Sequence, residues 1–286
     1  PTPSPAILSG LVGSEMCIRD RNYFFVLLSI TLGAGSSAAI NMWFDEDIDK
    51  TMERTKTRPI PLGIISKSEA LVFGLLTGIL SLLIMYYYST PLATALLLFT
   101  ILFYIVIYTF WLKRTTSLNI VIGGAAGAIP PIIGWTAVIP EISFLSIMMF
   151  LIIFFWTPPH FWALSVYRFN DYEKVKVPML PNVKSIEDTK NQIVYYTVIL
   201  ILLSYSPLFS NLISYIYFII ASLLNIVLLL NALKLRRTKE IENKPRLKIT
   251  PPIIIIFFME NLSSNLPRNI EATAELINQR DRAPES

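Results

Sequence analysis

Three side chains, Asn41, Asp45 and Asp49, recur at a spacing of four in the stretch NMWFDEDIDKTMERTKTRPIPLG (41–63). On a helix each step of four drifts only about 40° around the axis, so the three line one face. Carboxylates at that spacing sit roughly 5–6 Å apart. Like charges so close repel unless a cation holds them. Mg²⁺ suits such a pair, because it takes one or two carboxylates and fills its other positions with water and phosphate oxygens. Four acids fall between Asp45 and Asp49, and the bases Lys50, Arg54, Lys56 and Arg58 follow. The chemistry indicated is a metal-assisted reaction of a phosphate ester, with basic side chains at hand for the same phosphates.

A second group lies at 156–182, WTPPHFWALSVYRFNDYEKVKVPMLPN. It offers Asp171 as a third carboxylate, Arg168 and Tyr167 as phosphate contacts, and His160, the single histidine of the chain. Asp171 taken alone reads as a solvated loop acid; with the first motif it reads as part of a site for one or two divalent ions. His160 has two readings. It satisfies backbone groups freed by Pro158 and Pro159, or it serves as a proton acceptor or axial ligand to haem iron.

The elements that must carry these residues are membrane helices. Of 286 residues, 53% are hydrophobic and 15% charged, and the mean hydropathy is positive. Apolar runs of about 20 residues, the length that crosses a bilayer core, recur at 23–43, 69–88, 91–112, 117–139, 143–165, 192–210 and 212–234. Backbone inside lipid must satisfy its own hydrogen bonds, so each run is helical. The expected fold class is all-α, a polytopic membrane bundle of about seven visible spans. Lys and Arg concentrate in loops 44–68, 113–116, 166–191 and 235–249, and are missing around Ser89–Thr90, Ile139–Ile142 and Asn211. This alternation places the first set, with both motifs, on the cytoplasmic side. Tyr86, Tyr87, Tyr88 and Trp111 fit interfacial aromatic belts.

Some functions are excluded or disfavoured. One cysteine, Cys17, allows no disulfide framework or cysteine metal cluster, and one histidine allows no multi-histidine site in a single chain. The net charge of +4 is small and points to no nucleic-acid partner. The fourth span is rich in Gly and Ala, with Pro130–Pro131 expected to kink it. Its small residues serve close helix packing or, alternatively, a substrate. Residues 1–22 lack a signal-peptide pattern, and LVGSEMCIRDR resembles a translated sequencing adapter. This stretch is read as non-native or disordered, 23–237 as the membrane domain, and 238–286 as a tail that is either native or frame-shifted.

The residues Asn41, Asp45, Asp49, Arg54, Thr55, Arg58, Pro59, Pro61 and Gly63 follow a pattern, N-x-x-x-D-x-x-x-D then R-T-x-x-R-P-x-P-x-G. It resembles the UbiA superfamily of intramembrane aromatic prenyltransferases. NMWFDEDID, WTPPHFWALS and YRxxDY…PMLP are similar to its protohaem IX farnesyltransferase (haem O synthase) branch, over about residues 23–237. Quinone-pathway members usually carry a second acid four residues after the one matching Asp171; here that residue is Val175. The branch often has Asp where this chain has Asn170, and nine spans where seven are visible.

The resemblance implies a lipid bilayer setting, the substrates farnesyl diphosphate and haem B, and Mg²⁺ held by Asp45, Asp49 and Asp171. It implies diphosphate contacts from Asn41, Arg54, Lys56, Arg58, Tyr167 and Arg168, a role for His160 toward haem or water, and a downstream haem A synthase. Two other readings stay open at this point. One is prenyl transfer to a quinone or chlorophyll precursor. The other is a transporter whose edge acids line an ion path, against which no acid lies mid-span.

Overall fold

The computed structural model describes residues 5–210 and 215–238, and side chains from Asn22 to Leu208 and from Ile216 to Thr238. The described residues contain helices and no strand. In chain order they are α1 (Pro5–Phe44), α2 (Glu46–Thr51), α3 (Lys67–Tyr88) and α4 (Pro91–Leu102). A π-helical segment (Phe103–Leu112) continues α4 and leads to α5 (Lys113–Thr115). Then come α6 (Asn119–Ala128), α7 (Pro130–Thr136), α8 (Phe144–Tyr167), α9 (Phe169–Lys174), α10 (Leu180–Val183), α11 (Ile186–Ser204) and α12 (Tyr215–Arg237). Expectations for residues 1–4, and for the tail beyond Thr238, lie outside the described residues.

Seven helical stretches among the described residues are long and apolar enough to span a membrane: Asn22–Phe44, Lys67–Tyr88, Pro91–Thr115, Asn119–Thr136, Phe144–Tyr167, Ile186–Leu208 and Ile216–Arg237. The seven runs read from the sequence match these one for one. The chain is an integral, multi-pass membrane protein. The largest boundary difference is at the sixth, which begins at Ile186 rather than 192. Its first turns, IEDTKN, are polar, and Ser185 starts the helix by accepting from the Asp188 N–H at 2.9 Å. Capping, not hydropathy, sets that end. Ser66 and Glu69 form a reciprocal capping box at the start of α3, and Thr90 with Pro91 starts α4.

The chain divides into two compact units. One holds residues up to Trp111 together with Ile129–Ile142; the other holds Leu112–Ala128 and the residues from Ser143 onward. In the first unit, α1 packs closely on α3 through small residues. A Cβ on Gly74 would meet Ile40 Cγ1 at 2.6 Å, and one on Gly78 would meet Ser36 Oγ at 2.7 Å. Ser36 donates to the Gly74 carbonyl at 2.6 Å, and Ser81 to the Ser29 carbonyl at 2.8 Å. These bonds replace hydrophobic driving force, which is absent between helices in lipid. The seam holds the C-terminal end of α1, where Asn41 lies. The opposite face of α3 is apolar and exposed, with Val72, Phe73, Leu76, Ile79 and Leu83 each at least half exposed, as a lipid-facing surface requires.

In the second unit, α6 packs on α8, and a Cβ on Gly124 would lie 3.0 Å from Thr157 Cγ2. This is the packing reading of the Gly/Ala-rich span. The helix breaks at Ile129, and α7 restarts at Pro130, as the proline pair dictates. By contrast α8 runs on through Pro158 and Pro159, both buried. Trp162, Leu180, Ile193, Ala232 and Leu235 form the core around its last turns.

Candidate active site

The chain turns sharply at Asp45 without losing register. Its backbone (φ −93°, ψ 17°) leaves the helical region between α1 and α2. Even so, the Asp45 N–H donates to the Asn41 carbonyl at 2.9 Å, and the Asp49 N–H to the Asp45 carbonyl at 2.8 Å. The spacing of four therefore survives the break. It also sorts the four acids, because Asp45 and Asp49 are buried (0% and 2% exposed) while Asp47 is exposed and Glu46 half-buried.

Two buried carboxylates at a membrane edge need partners. Asn41 Nδ2 donates to Asp45 Oδ2 at 2.8 Å and to Thr109 Oγ1 at 3.2 Å. Arg58 Nη1 donates to Asp49 Oδ2 at 2.6 Å. Arg58 reaches back because 52–58 is a tight turn: the Thr55 and Lys56 N–H groups donate to the Met52 carbonyl, and the Arg58 N–H to the Thr55 carbonyl. Thr55, buried, donates to the Asp49 carbonyl at 3.2 Å and pins that turn to α2. The sequence reading missed Thr109. It lies in an apolar run that looks like any span, and only the π-helical segment carries it to Asn41; such segments are frequent at functional sites. Phe110, from the same segment, packs on Phe44 with ring centroids 4.6 Å apart.

The remaining bases behave differently from Arg58. Lys56 pairs with Glu53 at 2.5 Å and is half exposed, and Arg54 is exposed. Lys50 and Lys67 both bind Glu46, at 2.8 and 3.2 Å. The Lys50 hydrogen bond first, then that of Lys67, holds the Glu46 carboxyl below its usual range.

The second motif lies in the second unit. Arg168 ends α8, its N–H donating to the Leu164 carbonyl at 3.0 Å, and also opens α9. Its guanidinium lies 3.4 Å from Asp171 Oδ2. Asp171 is buried (8% exposed), whereas Asn170 is exposed. Lys176, at φ 53°, takes the left-handed conformation where the chain leaves α9. His160 is half-buried and stacks on Trp156, with centroids 4.6 Å apart and planes 22° apart. Tyr167 is half-buried against the Trp162 core. Among the described residues no three His, Cys, Asp or Glu side chains are grouped to cage a metal ion. Asn41, Asp45 and Asp49 instead fit an ion that takes its remaining ligands from phosphate and water.

A family model described as the UbiA prenyltransferase family matches residues 3–262. The chain belongs to the UbiA prenyltransferase family. Among its relatives, a protein named protoheme IX farnesyltransferase from Rickettsia akari is 53% identical over 229 residues, 79% of this chain and 75% of the relative. One of the same name from Bartonella tribocorum is 47% identical over 228 residues, 80% of this chain and 73% of the relative. Two solved structures share the fold. A digeranylgeranylglyceryl phosphate synthase matches with TM-score 0.63 at 18% identity, covering 84% of this chain and 81% of that one. A UbiA homologue from Archaeoglobus fulgidus, solved bound to GPP and Mg²⁺, matches with TM-score 0.58 at 16% identity, covering 85% and 84%. The expected fold, an all-helical intramembrane prenyltransferase bundle, is the one observed.

Proposed function

We propose that this UbiA-family enzyme transfers the farnesyl group of farnesyl diphosphate to a vinyl group of haem B, giving haem O and diphosphate. The observation that carries the reading is the buried Asn41–Asp45–Asp49 face, bonded to Arg58 and Thr109, in a chain about half identical to relatives named for this reaction. The carbon–oxygen bond of the diphosphate ester breaks and diphosphate leaves. A carbon–carbon bond forms between the allylic carbon and the vinyl group. Water then adds to the haem-side cation and releases a proton, leaving a hydroxyfarnesylethyl group.

Asp45 and Asp49 are the residues that would hold Mg²⁺, which when bound supplies Lewis-acid stabilisation of the leaving oxygens. Asn41 spends both amide N–H groups on Asp45 and Thr109, which leaves its carbonyl oxygen for a metal-bound water or a phosphate hydroxyl. Arg58 neutralises Asp49 and is placed to exchange that partner for diphosphate. Asp171 is assigned to the metal from its motif alone. Arg54, Lys56, Tyr167 and Arg168 are assigned to diphosphate on the same ground, and His160 to orienting haem or the attacking water. The apolar spans shield the allylic cation from bulk water. Charge alternation of the loops supports a cytoplasmic active site in a bacterial inner membrane, with the product passing to a haem A synthase.

The test is made in a host lacking its own haem O synthase. Haems extracted from membranes expressing this chain are separated by liquid chromatography and weighed by mass spectrometry. A species heavier than haem B by farnesyl plus water is expected. Only haem B, with the protein present in the membrane and farnesyl diphosphate abundant, overturns the assignment.

A further inference from the structure

The loop between Arg58 and Ser66 is apolar where a connection between charged segments would ordinarily be polar. Leu62, Ile64 and Ile65 are 56%, 72% and 39% exposed, while Ile60 of the same run is buried and anchors the loop in the protein. The backbone of this loop is closed on itself. Pro59 and Pro61 carry no N–H. The N–H groups of Leu62, Gly63, Ile64 and Ile65 donate to the carbonyls of Arg58, Ile60, Pro59 and Pro59, at 3.1, 3.0, 2.9 and 3.4 Å. Gly63 makes this closure possible at φ +72°, a conformation that costs glycine little.

A loop in water has no need of such closure, because water satisfies its donors. Backbone entering a water-poor layer does need it. The apolar tip also continues, through Ser66, into α3 and its exposed apolar face. Lys67, half exposed and 3.2 Å from Glu46, follows it. A base at that level suits an anionic headgroup.

We propose that residues 59–65 are an interfacial wedge that seats Leu62, Ile64 and Ile65 in the boundary between headgroups and acyl chains of a bilayer containing anionic lipid. Apolar surfaces of this kind lie about 5–10 Å into that boundary. The occupant is lipid rather than a protein, because three side chains fall far short of the roughly 800 Å² per partner of a specific protein interface. The wedge has a consequence for the site. Arg58, the residue before it, is bonded to Asp49, so lipid contact holds the strap that presents this guanidinium.

The test uses the full chain with Cys17→Ser, reconstituted in vesicles of mixed zwitterionic and anionic phospholipid. Single cysteines at Ile64 or Leu62, both exposed and outside the core, carry a small environment-sensitive fluorophore. Thr57→Cys, exposed and upstream of the wedge, is the reference. Labels at 64 and 62 are expected to emit at shorter wavelength than at 57. They are also expected to be quenched strongly by lipids brominated near the headgroup, and by aqueous iodide severalfold less than at 57. Iodide quenching equal to that at 57 puts the loop in water. Protection from both quenchers puts a protein surface over it. Either result overturns the proposal.

Discussion

The two acid-bearing motifs solve the same electrostatic problem with different tightness. In the first unit, Asp49 is bonded to Arg58 at 2.6 Å across nine residues of chain, and its side chain is 3% exposed. Asp45 beside it is fully buried and takes an amide hydrogen bond from Asn41. In the second unit, Arg168 and Asp171 are three residues apart on neighbouring turns, separated by 3.4 Å, with 10% of the acid's side chain exposed. The first pair needs the folded turn over 52–58 to exist at all. The second follows from local helical geometry. A carboxylate held by tertiary contacts is preorganised before any ligand arrives, whereas one held by an adjacent turn keeps more freedom to reorient.

The largest effect should come from removing the tightly held acids. Asp45→Ala and Asp49→Ala should each abolish haem O formation while leaving the protein in the membrane, as judged by mass spectrometry of extracted haems beside an immunoblot of the membrane fraction. A normal product yield from either variant would sink the metal assignment.

Next come the two arginines, which separate the motifs by stability rather than activity. Arg58→Ala strands a buried carboxylate, so a loss of about 1–3 kcal/mol is expected. Arg168→Ala removes a longer contact, 3.4 Å against 2.6 Å, so a smaller loss, about 1 kcal/mol, is expected. Thermal unfolding in detergent compares them, and equal losses would mean that the two pairs are held alike.

The finest probe is Thr109. Thr109→Val keeps the shape and removes the hydroxyl that accepts from Asn41; Thr109→Ser keeps the hydroxyl. Thr109 orients Asn41, which in turn bonds Asp45, and loss of an outer hydrogen bond of this kind weakens metal affinity by about 10-fold. Mn²⁺ titration followed by electron paramagnetic resonance should show that loss for Val and recovery for Ser. The same loss for both would reduce Thr109 to packing.

Much of this was legible in the sequence because it depends on local periodicity. Seven apolar runs of spanning length, basic loops on alternate connections, and the proline break near Ile129 each follow from what lipid and backbone demand. The spacing of four predicted that Asn41, Asp45 and Asp49 would share a face, and the hydrogen bonds from Asn41 through Asp45 to Asp49 keep that register even where the helix breaks. The bases were legible only as a group. Their composition says nothing of which one folds back, since Lys50 and Lys56 neutralise acids of their own segment while Arg58 reaches Asp49.

What the sequence alone determined is the class of the molecule, a helical membrane protein, and the one face shared by Asn41, Asp45 and Asp49. The tertiary structure decided the rest. It placed Thr109 behind Asn41 through a π-helical segment, seated α1 on α3 through Gly74 and Gly78, and closed the apolar loop at Gly63. The reason is physical. Periodicity registers which face a residue occupies on its own helix, while close approach between helices depends on missing atoms, one extra residue per turn, or a single positive φ, none of which changes the hydropathy pattern.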